Sequence, residues 1–216
     1  FTSPSVTATE SLMLAGILAK GITKIGNAAM EPEIADLAMF LNTCGAKITG
    51  AGTPTITIEG TGLLLAEGKS YRIIPDRIEL GSFLILGALA ADNLSITHCN
   101  PAHADIIISM LQEAGVPMTV EKDAVHIRRN GAIPNHTFKS FNIKTHEYPG
   151  FPTDVQAPMT VFLTQSTGEG LVFETIYENR LNYAQDLVHM GADIKVWDAH
   201  RATVKGPTPL KGREVD

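Results

Sequence analysis

The stretch "EPEIADLAMFLNTCGAKITGAGTPTITIEG", residues 31–60, contains the pattern that decides the fold. Its first half places apolar residues at helical spacing on one stripe, at Ile34, Leu37, Ala38 and Leu41. Gly45 follows this stripe, and glycine commonly ends a helix. Residues 55–59, "TITIE", then alternate apolar and polar side chains, which is typical of a strand with one buried face. The stretch therefore predicts an amphipathic helix followed by a two-strand hairpin.

The same pattern occurs twice more along the chain. The segments "ADIIISMLQEAGVPMTV" (104–120) and "NRLNYAQDLVHMGADIKV" (179–196) each place an amphipathic helix before a glycine and a short strand. The three glycines that end these helices are Gly45, Gly115 and Gly191. Their spacing is longer than that of the common solenoid repeats. We therefore predict three copies of a βαβα-plus-hairpin module.

An almost wholly apolar helix precedes each amphipathic one. These helices are expected at Glu10 to Ala19, Glu79 to Ala90 and Val155 to Gln165. A helix that is apolar on nearly every side is expected to be buried on nearly every side. Short strands follow them in "ITKIG", "LSITH" and "LVFET". The predicted fold class is α/β, with helices wrapped inside sheets.

The segment "LLLAEGKSYRIIPD" separates the first copy from the second. We place a domain crossover near Pro75, so that residues 1–75 finish one domain and residues 76–216 form most of a second. The chain opens with "FTSPSV", without an initiator Met, and closes on "PLKGREVD", which resembles a strand cut short. We therefore expect a fragment of a longer protein.

Composition excludes several classes of protein. Hydrophobic residues make up 44% of the chain and charged residues 19%, which is typical of a globular protein. The formal net charge of −6 argues against a nucleic-acid binder, since such proteins usually present a basic face. Two cysteines give no disulfide framework and fit a reducing cytoplasm. No apolar run approaches the roughly 20 residues of a membrane helix.

The starts of the apolar helices form a candidate anion site. If the modules pack with threefold pseudo-symmetry, the helix N-termini gather on one face, where free N–H groups favour phosphate. The residues at these starts are Ser5 with Thr7, Asp76 with Arg77, and Thr153 with Asp154. Ser5, Asp76 and Asp154 also fit a purely structural interpretation as N-caps. Arg77 fits that interpretation poorly, because a cation is unfavourable beside a helix start; Arg180 likewise precedes a helix.

Four stretches of the sequence resemble those of a known family. The stretches "GNAAMEPEIADLAMFLNTCGAKITGAGTPTITIEG", "PDRIELGSF", "FPTDVQAP" and "YENRL" are similar to those of the UDP-N-acetylglucosamine 1-carboxyvinyltransferases, also called UDP-N-acetylglucosamine enolpyruvyl transferases. The resemblance runs from "PSVTAT" to "PLKGREV". It implies two domains, each an inside-out α/β barrel of three βαβαββ units. Residues 1–75 would then be the last repeat of the first domain, and 76–216 two repeats of the second.

The resemblance also implies an activity and its site residues. The family transfers the enolpyruvyl group of phosphoenolpyruvate to the sugar 3′-hydroxyl, releases phosphate and starts peptidoglycan synthesis in the cytoplasm. It needs no metal and no organic cofactor, and a monomer is expected. Asp154 matches the carboxylate proposed as general base. The matched substrate-binding positions are Ser5, Val6, Ile176 and Arg180, and Arg77 matches a motif residue near the domain crossover.

The chain also departs from the family. The loop that carries the proton donor, and a Lys–Asn pair that binds phosphoenolpyruvate, would lie before residue 1, so the 216 residues alone are expected to be inactive. Thr7 stands where many relatives have glycine. Two alternatives remain open: an enolpyruvylshikimate-phosphate synthase, which shares the fold, and a non-catalytic paralogue that binds a sugar nucleotide.

Overall fold

The computed structural model describes residues 1–128 and 138–214. Its internal contacts divide the chain into two units. Unit 1 contains Phe1–Ile74 together with Glu147–Pro149, and unit 2 contains Pro75–His146 and Gly150–Asp216. The assignment of these residues to one repeat of a first domain and two repeats of a second stays a prediction.

Unit 1 contains the first repeat, which has two helices and three strands. Its elements are α1 (Val6–Leu18), β1 (Ile22–Gly26), α2 (Pro32–Thr43), β2 (Lys47–Thr49) and β3 (Thr55–Glu59). The strands form a sheet in the order β1-β3-β2, and both outer strands are antiparallel to β3. Ile56 and Ile58 of β3 are fully buried, as the alternating "TITIE" pattern predicts.

Unit 2 contains the second repeat, in which a 3-10 turn (Pro101–Ala104) precedes the second helix. Its strands form a sheet in the order β4-β6-β5, again with antiparallel neighbours. The elements are α3 (Arg77–Ala90), β4 (Asn93–Thr97), α4 (Asp105–Glu113), β5 (Met118–Val120) and β6 (Ala124–Arg128).

The third repeat completes unit 2 and has one additional strand. A short strand β7 (Ile143–Lys144) pairs in parallel with the first strand of the repeat, which gives the sheet order β7-β8-β10-β9. A 3-10 turn (Thr153–Val155) leads into its first helix. The remaining elements are α5 (Gln156–Thr164), β8 (Gly168–Phe173), α6 (Ala184–His189), β9 (Asp193–Val196) and β10 (Arg201–Gly206).

The order helix–strand–helix–strand–strand thus occurs three times, and the predicted α/β class and repetition are confirmed. In the first and third repeats, the last strand lies very close to the end of the first helix. Gly60 follows β3, and a Cβ there would overlap the carbonyl of Ala19 at the end of α1. Gly206 ends β10, and a Cβ there would overlap carbonyl oxygens at the end of α5. Only glycine lets the last strand approach the end of the first helix this closely.

The prediction that the apolar helices are buried on nearly every side is confirmed for α5 and wrong for α1 and α3. Six of the nine residues of α5 are buried, and these include polar Gln156 and Thr160. In contrast, α1 exposes Leu12, Leu14 and Leu18 at 44%, 48% and 59%. Helix α3 likewise exposes Phe83 and Leu86. The physical reason is that one three-stranded sheet covers only one side of a helix, so the remaining sides need further elements.

Each unit has its own hydrophobic core. Within unit 2, α3 and α5 pack against each other, and the rings of Phe138 and Phe162 stack with centroids 5.4 Å apart. Fully buried members of the unit 1 core are Met13, Ile34, Ile56 and Ile58. Fully buried members of the unit 2 core include Leu84, Leu111, Ile127, Met159 and Phe162.

Candidate functional site

Two of the three helix starts carry capping side chains. The Ser5 hydroxyl accepts a hydrogen bond from the Ala8 amide at 3.3 Å, at the start of α1. The Asp76 carboxylate accepts two, from the amides of Ile78 and Glu79 at 2.8 and 3.0 Å, at the start of α3. Both residues have the extended backbone of an N-cap. The capping interpretation is therefore confirmed for Ser5 and Asp76.

Asp154 does not cap a helix. The position before its 3-10 turn belongs to Pro152, whose backbone is extended and whose side chain cannot accept a hydrogen bond. The N-cap of α5 is Val155, and neither helix start has a side-chain cap. Instead, Nη2 of Arg180 donates to Oδ1 of Asp154 at 2.7 Å. The capping interpretation is wrong for Asp154, which lies two residues beyond the N-cap position of the turn.

The Asp154–Arg180 pair is open to solvent. The Asp154 side chain is 56% exposed and that of Arg180 is 36% exposed. Exposed ion pairs typically contribute about 0–1 kcal/mol to stability. The guanidinium of Arg180 also lies over the ring of Tyr177, with 5.1 Å between Cζ and the ring centroid. Contacts on two sides orient the planar guanidinium, and the accessible carboxylate is free to meet a ligand.

A buried carboxylate lies next to this pair. Glu174 follows β8 and is 0% exposed. Its Oε2 accepts from the Thr153 hydroxyl at 2.7 Å and its Oε1 accepts from the Ile176 amide at 2.8 Å. Sequence analysis missed this residue, because "LVFET" was interpreted as a strand without regard to the acid near its end. The available signal was a carboxylate directly after a buried apolar strand, a position where a hydrogen-bonded role is expected.

Gln156 connects the start of α5 to the segment before α6. Its Nε2 donates to Oε2 of Glu174 at 3.4 Å, and its Oε1 accepts from the Tyr183 hydroxyl. That hydroxyl lies 2.8 Å from the Thr160 hydroxyl. Burial raises the pKa of Tyr183 to about 12, with a further upward contribution from the charge of Glu174. The phenol is therefore neutral and serves as a structural hydrogen-bonding group.

Arg77 lies at the start of a neighbouring helix. It is the first residue of α3, which packs on α5 and on the Thr153–Val155 turn. A Cβ at Gly81 would lie 3.5 Å from Val155, so this face of α3 is at van der Waals distance from the turn. Arg77 and Gly81 are four residues apart and so share one face of α3. The fold thus places half-buried Arg77 on the side of α3 that faces the turn carrying Asp154.

The structure brings together three of the site residues expected from sequence. Asp154 and Arg180 are in direct contact, and Ile176 precedes Arg180 in the segment anchored by Glu174. Ser5 and Val6 belong to unit 1, where Val6 packs against the core. Within the described part of the chain, no three His, Cys, Asp or Glu side chains are grouped so that they could hold a metal ion. No helix among the described residues is long and apolar enough to cross a membrane.

Comparison with known proteins gives one family and several relatives. The family described as EPSP synthase (3-phosphoshikimate 1-carboxyvinyltransferase) matches residues 1–216. A UDP-N-acetylglucosamine 1-carboxyvinyltransferase of Acidobacterium capsulatum is 47% identical over 216 residues, which are 100% of this chain and 48% of that protein. UDP-N-acetylglucosamine 1-carboxyvinyltransferase 2 of Listeria monocytogenes is 44% identical over 98% of this chain and 48% of its own length.

A solved structure shares the fold. The crystal structure of the enolpyruvyl transferase NikO from Streptomyces tendae matches with a TM-score of 0.79 and 25% sequence identity, over 95% of this chain and 47% of that one. The chain thus spans about half the length of the curated relatives it matches, and covers 48% of both relatives named above.

Proposed function

The chain belongs to the EPSP synthase family, and from that premise we propose that it is part of an enolpyruvyl transferase acting on UDP-N-acetylglucosamine. The reaction moves the enolpyruvyl group of phosphoenolpyruvate to the sugar 3′-hydroxyl and releases phosphate, the first committed step of peptidoglycan synthesis. One observation carries the proposal to this chain. Asp154 is an exposed carboxylate that caps no helix and is oriented by Arg180. The relatives' names supply the choice of substrates.

Asp154 is proposed as the general base. A sugar hydroxyl that attacks C2 of the enol ether must lose its proton, and a positioned carboxylate accepts it. Oδ1 of Asp154 is already engaged by Arg180 at 2.7 Å. A second oxygen of a side chain that is 56% exposed remains to meet the hydroxyl.

The cations and backbone groups are proposed as substrate contacts. Phosphoenolpyruvate and the nucleotide diphosphate carry several negative charges, which guanidinium groups bind through planar, paired hydrogen bonds. Arg180 and Arg77 are assigned to this role. Ser5 and Val6 are assigned to the uridine diphosphate. Because the Ile176 amide already donates to Glu174, a sugar contact through the Ile176 backbone would use its carbonyl.

The full fold is proposed as an inside-out α/β barrel in each of two domains. Support comes from the apolar side chains that α1 and α3 leave exposed, at Leu12, Leu14 and Leu18 and at Phe83 and Leu86. Further repeats packed on these sides would complete the interior of each barrel. Residues 1–75 then form the last repeat of the first domain and 76–216 two repeats of the second. No metal, cofactor, nucleic acid or membrane partner is proposed, and the enzyme is a cytoplasmic monomer.

One alternative function has an observation in its favour. The matching family is described by EPSP synthase, a 3-phosphoshikimate 1-carboxyvinyltransferase. An acceptor of that kind also presents a hydroxyl to phosphoenolpyruvate. The sugar nucleotide is preferred because relatives at 43–47% identity carry the UDP-N-acetylglucosamine name.

Phosphate release by the intact protein tests the proposal. The protein is incubated with phosphoenolpyruvate and either UDP-N-acetylglucosamine or shikimate 3-phosphate. We expect phosphate with the sugar nucleotide, none with shikimate 3-phosphate, and none from residues 1–216 alone. Release with shikimate 3-phosphate only would establish the alternative. Binding of the sugar nucleotide without any phosphate release would identify a non-catalytic paralogue and refute the transferase.

A further inference from the structure

Glu174 is the most deeply buried carboxylate among the described residues. It is 0% exposed, whereas Glu31 and Asp36 are exposed at 6% and 7%. A carboxylate removed from water is costly unless hydrogen bonds replace its hydration. Both oxygens of Glu174 act only as acceptors, and they take five hydrogen bonds in two separate groups. The grouping shows what the buried charge holds together.

Oxygen Oε2 holds the turn that carries Asp154. It accepts from the Thr153 hydroxyl at 2.7 Å and from Nε2 of Gln156 at 3.4 Å. Thr153 directly precedes Asp154, and Gln156 is the first residue of α5. The turn is therefore anchored on both sides of Asp154 by the same oxygen.

Oxygen Oε1 holds the segment that leads to Arg180. It accepts from the amides of Ile176 and Tyr177 at 2.8 and 3.1 Å. The Thr145 hydroxyl, from the neighbouring β7 side of the sheet, donates to it at 3.0 Å. Tyr177 then places its ring against the Arg180 guanidinium. Oε1 thus fixes the backbone of the residue whose side chain supports Arg180.

The exposed Asp154–Arg180 ion pair contributes little to fixing its own geometry. An exposed ion pair contributes little net stability, because screening by water and the entropy of two mobile side chains offset its attraction. The hydrogen bonds to the buried carboxylate are shielded from solvent, and the two shortest, from the Thr153 hydroxyl and the Ile176 amide, are 2.7 and 2.8 Å long. The geometry of the pair is therefore set by the buried carboxylate, through the two backbone segments that carry Asp154 and Arg180.

We propose that Glu174 is a positioning residue of the transferase, which fixes the Asp154–Arg180 pair by anchoring the turn before α5 and the segment before α6. This role rests on the proposed function, since it assigns the pair to the reaction. Glu174 does not touch substrate. It acts by keeping the base within reach of the hydroxyl, where a misplacement of about 1 Å can cost about 100-fold in rate.

The variant Glu174→Gln tests the role with minimal change of shape. Its amide oxygen can continue to accept from the Ile176 and Tyr177 amides, but its NH₂ group then faces the donors Thr153 and Gln156. The Gln156 NH₂ group cannot accept from it and the Thr153 hydroxyl must rotate to do so, so the turn that carries Asp154 is loosened while the other segment is retained. The matched control is Ser166→Ala, which removes another fully buried hydrogen bond, to the Phe162 carbonyl, at the opposite end of α5.

Crystal structures of the intact variants give a readout that does not depend on the reaction. With Glu174→Gln, we expect the Arg180 Nη2 to Asp154 Oδ1 contact of 2.7 Å to be lost. With Ser166→Ala we expect it to be kept. A Glu174→Gln structure that keeps the contact overturns the proposal. If the contact is lost but the wild-type protein transfers no enolpyruvyl group, the proposed function fails and the anchoring of the pair stands.

Kinetics separate positioning from a purely structural role. We expect Glu174→Gln to lower kcat about 100-fold, and Ser166→Ala to leave it unchanged. The double variant Asp154→Asn/Glu174→Gln should be no slower than Asp154→Asn, because Glu174 acts only through the pair. A double variant slowed by the product of both single effects overturns the proposal. Should Glu174→Gln not fold, Thr153→Val removes one donor from the same carboxylate; an unchanged kcat in that variant overturns it as well.

Discussion

Asp76 and Asp154 lie at the starts of two equivalent helices of unit 2, and their carboxylates are used differently. Asp76 accepts hydrogen bonds from two amides of α3, at 2.8 and 3.0 Å. Asp154 accepts from Arg180 at 2.7 Å and has no capping bond to α5. The first carboxylate therefore contributes to helix stability. The second is held by a side chain from another segment and remains open to solvent.

The difference comes from the position of each acid relative to the N-cap of its helix or turn. Asp76 occupies the extended position directly before its helix, where a side-chain oxygen reaches the free amides. In the third repeat, Pro152 occupies the position before the turn, and Asp154 lies two residues later inside it. Two repeats of one fold can therefore place an acid at the same helix end, as a cap in one repeat and as a solvent-exposed ion-pair partner in the other.

The largest effect is expected from Asp154→Asn in the intact protein. Loss of the base should lower kcat about 100- to 10,000-fold, since general base catalysis typically contributes that much. Stability should change little, because the side chain is exposed and caps nothing. Steady-state phosphate release and thermal unfolding measure the two effects.

Asp198→Asn is the matched control for that variant. Asp198 pairs with Arg201 at 2.6 Å and is also solvent-accessible, at 36%, but lies at the turn between β9 and β10. Its loss should leave kcat unchanged. Near-normal turnover of Asp154→Asn, or an equal loss in both variants, would contradict a special role for Asp154.

A smaller effect is expected from Arg180→Lys. An ammonium group keeps the charge but loses the planar fork that contacts Asp154 and Tyr177 together. We expect the KM for at least one substrate to rise about tenfold, equivalent to roughly 1.4 kcal/mol. Initial-rate measurements with each substrate varied in turn check this. Unchanged KM values for both would remove Arg180 from substrate capture.

The two capping residues should differ in how much each stabilises the fold. Asp76→Ala removes two hydrogen bonds and should cost about 1 kcal/mol, or a fall in Tm of roughly 2–4 °C. Ser5→Ala removes a single bond of 3.3 Å and should cost less. Differential scanning calorimetry of both variants ranks them. A larger loss for Ser5→Ala would contradict the capping geometry.

Tyr183 should affect stability only at alkaline pH. Its pKa is raised to about 12, so the folded state keeps the proton longer than the unfolded chain does. The stability due to the neutral phenol is complete below about pH 10 and is lost as pH rises to about 12. Unfolding free energies of wild type and Tyr183→Phe from pH 9 to 12 measure this. Parallel pH dependences in the two proteins would rule it out.

Much of the fold could be predicted from the chain because its signals are local. Apolar spacing, glycine helix ends and alternating strands identified all three repeats. Helix starts were less accurate: α1 begins at Val6 rather than Glu10, because the Ser5 cap lies earlier than the apolar pattern. All-round burial failed for α1 and α3, since burial depends on which other elements cover a helix and not on the helix itself.

The site was less predictable than the fold. Sequence identified Asp154 and Arg180 as candidates, but not that they contact each other across 26 positions. Whether Asp154 caps α5 depended on a 3-10 turn, which shifts the capping position by a residue or two without any change in composition. Glu174 was missed because three of its five partners, Thr145, Thr153 and Gln156, lie 18 to 29 residues away, and its position after an apolar strand was the one local sign of its role.

Asp154, unlike Asp76, is expected to contribute little to the stability of the fold. The most direct test is the free energy of unfolding of Asp154→Ala and Asp76→Ala, measured by urea denaturation of the intact protein under identical conditions. We expect a loss of about 1 kcal/mol for Asp76→Ala and a change within about 0.5 kcal/mol for Asp154→Ala. An equal or greater loss for Asp154→Ala would show that its carboxylate stabilises the fold, and would contradict the account.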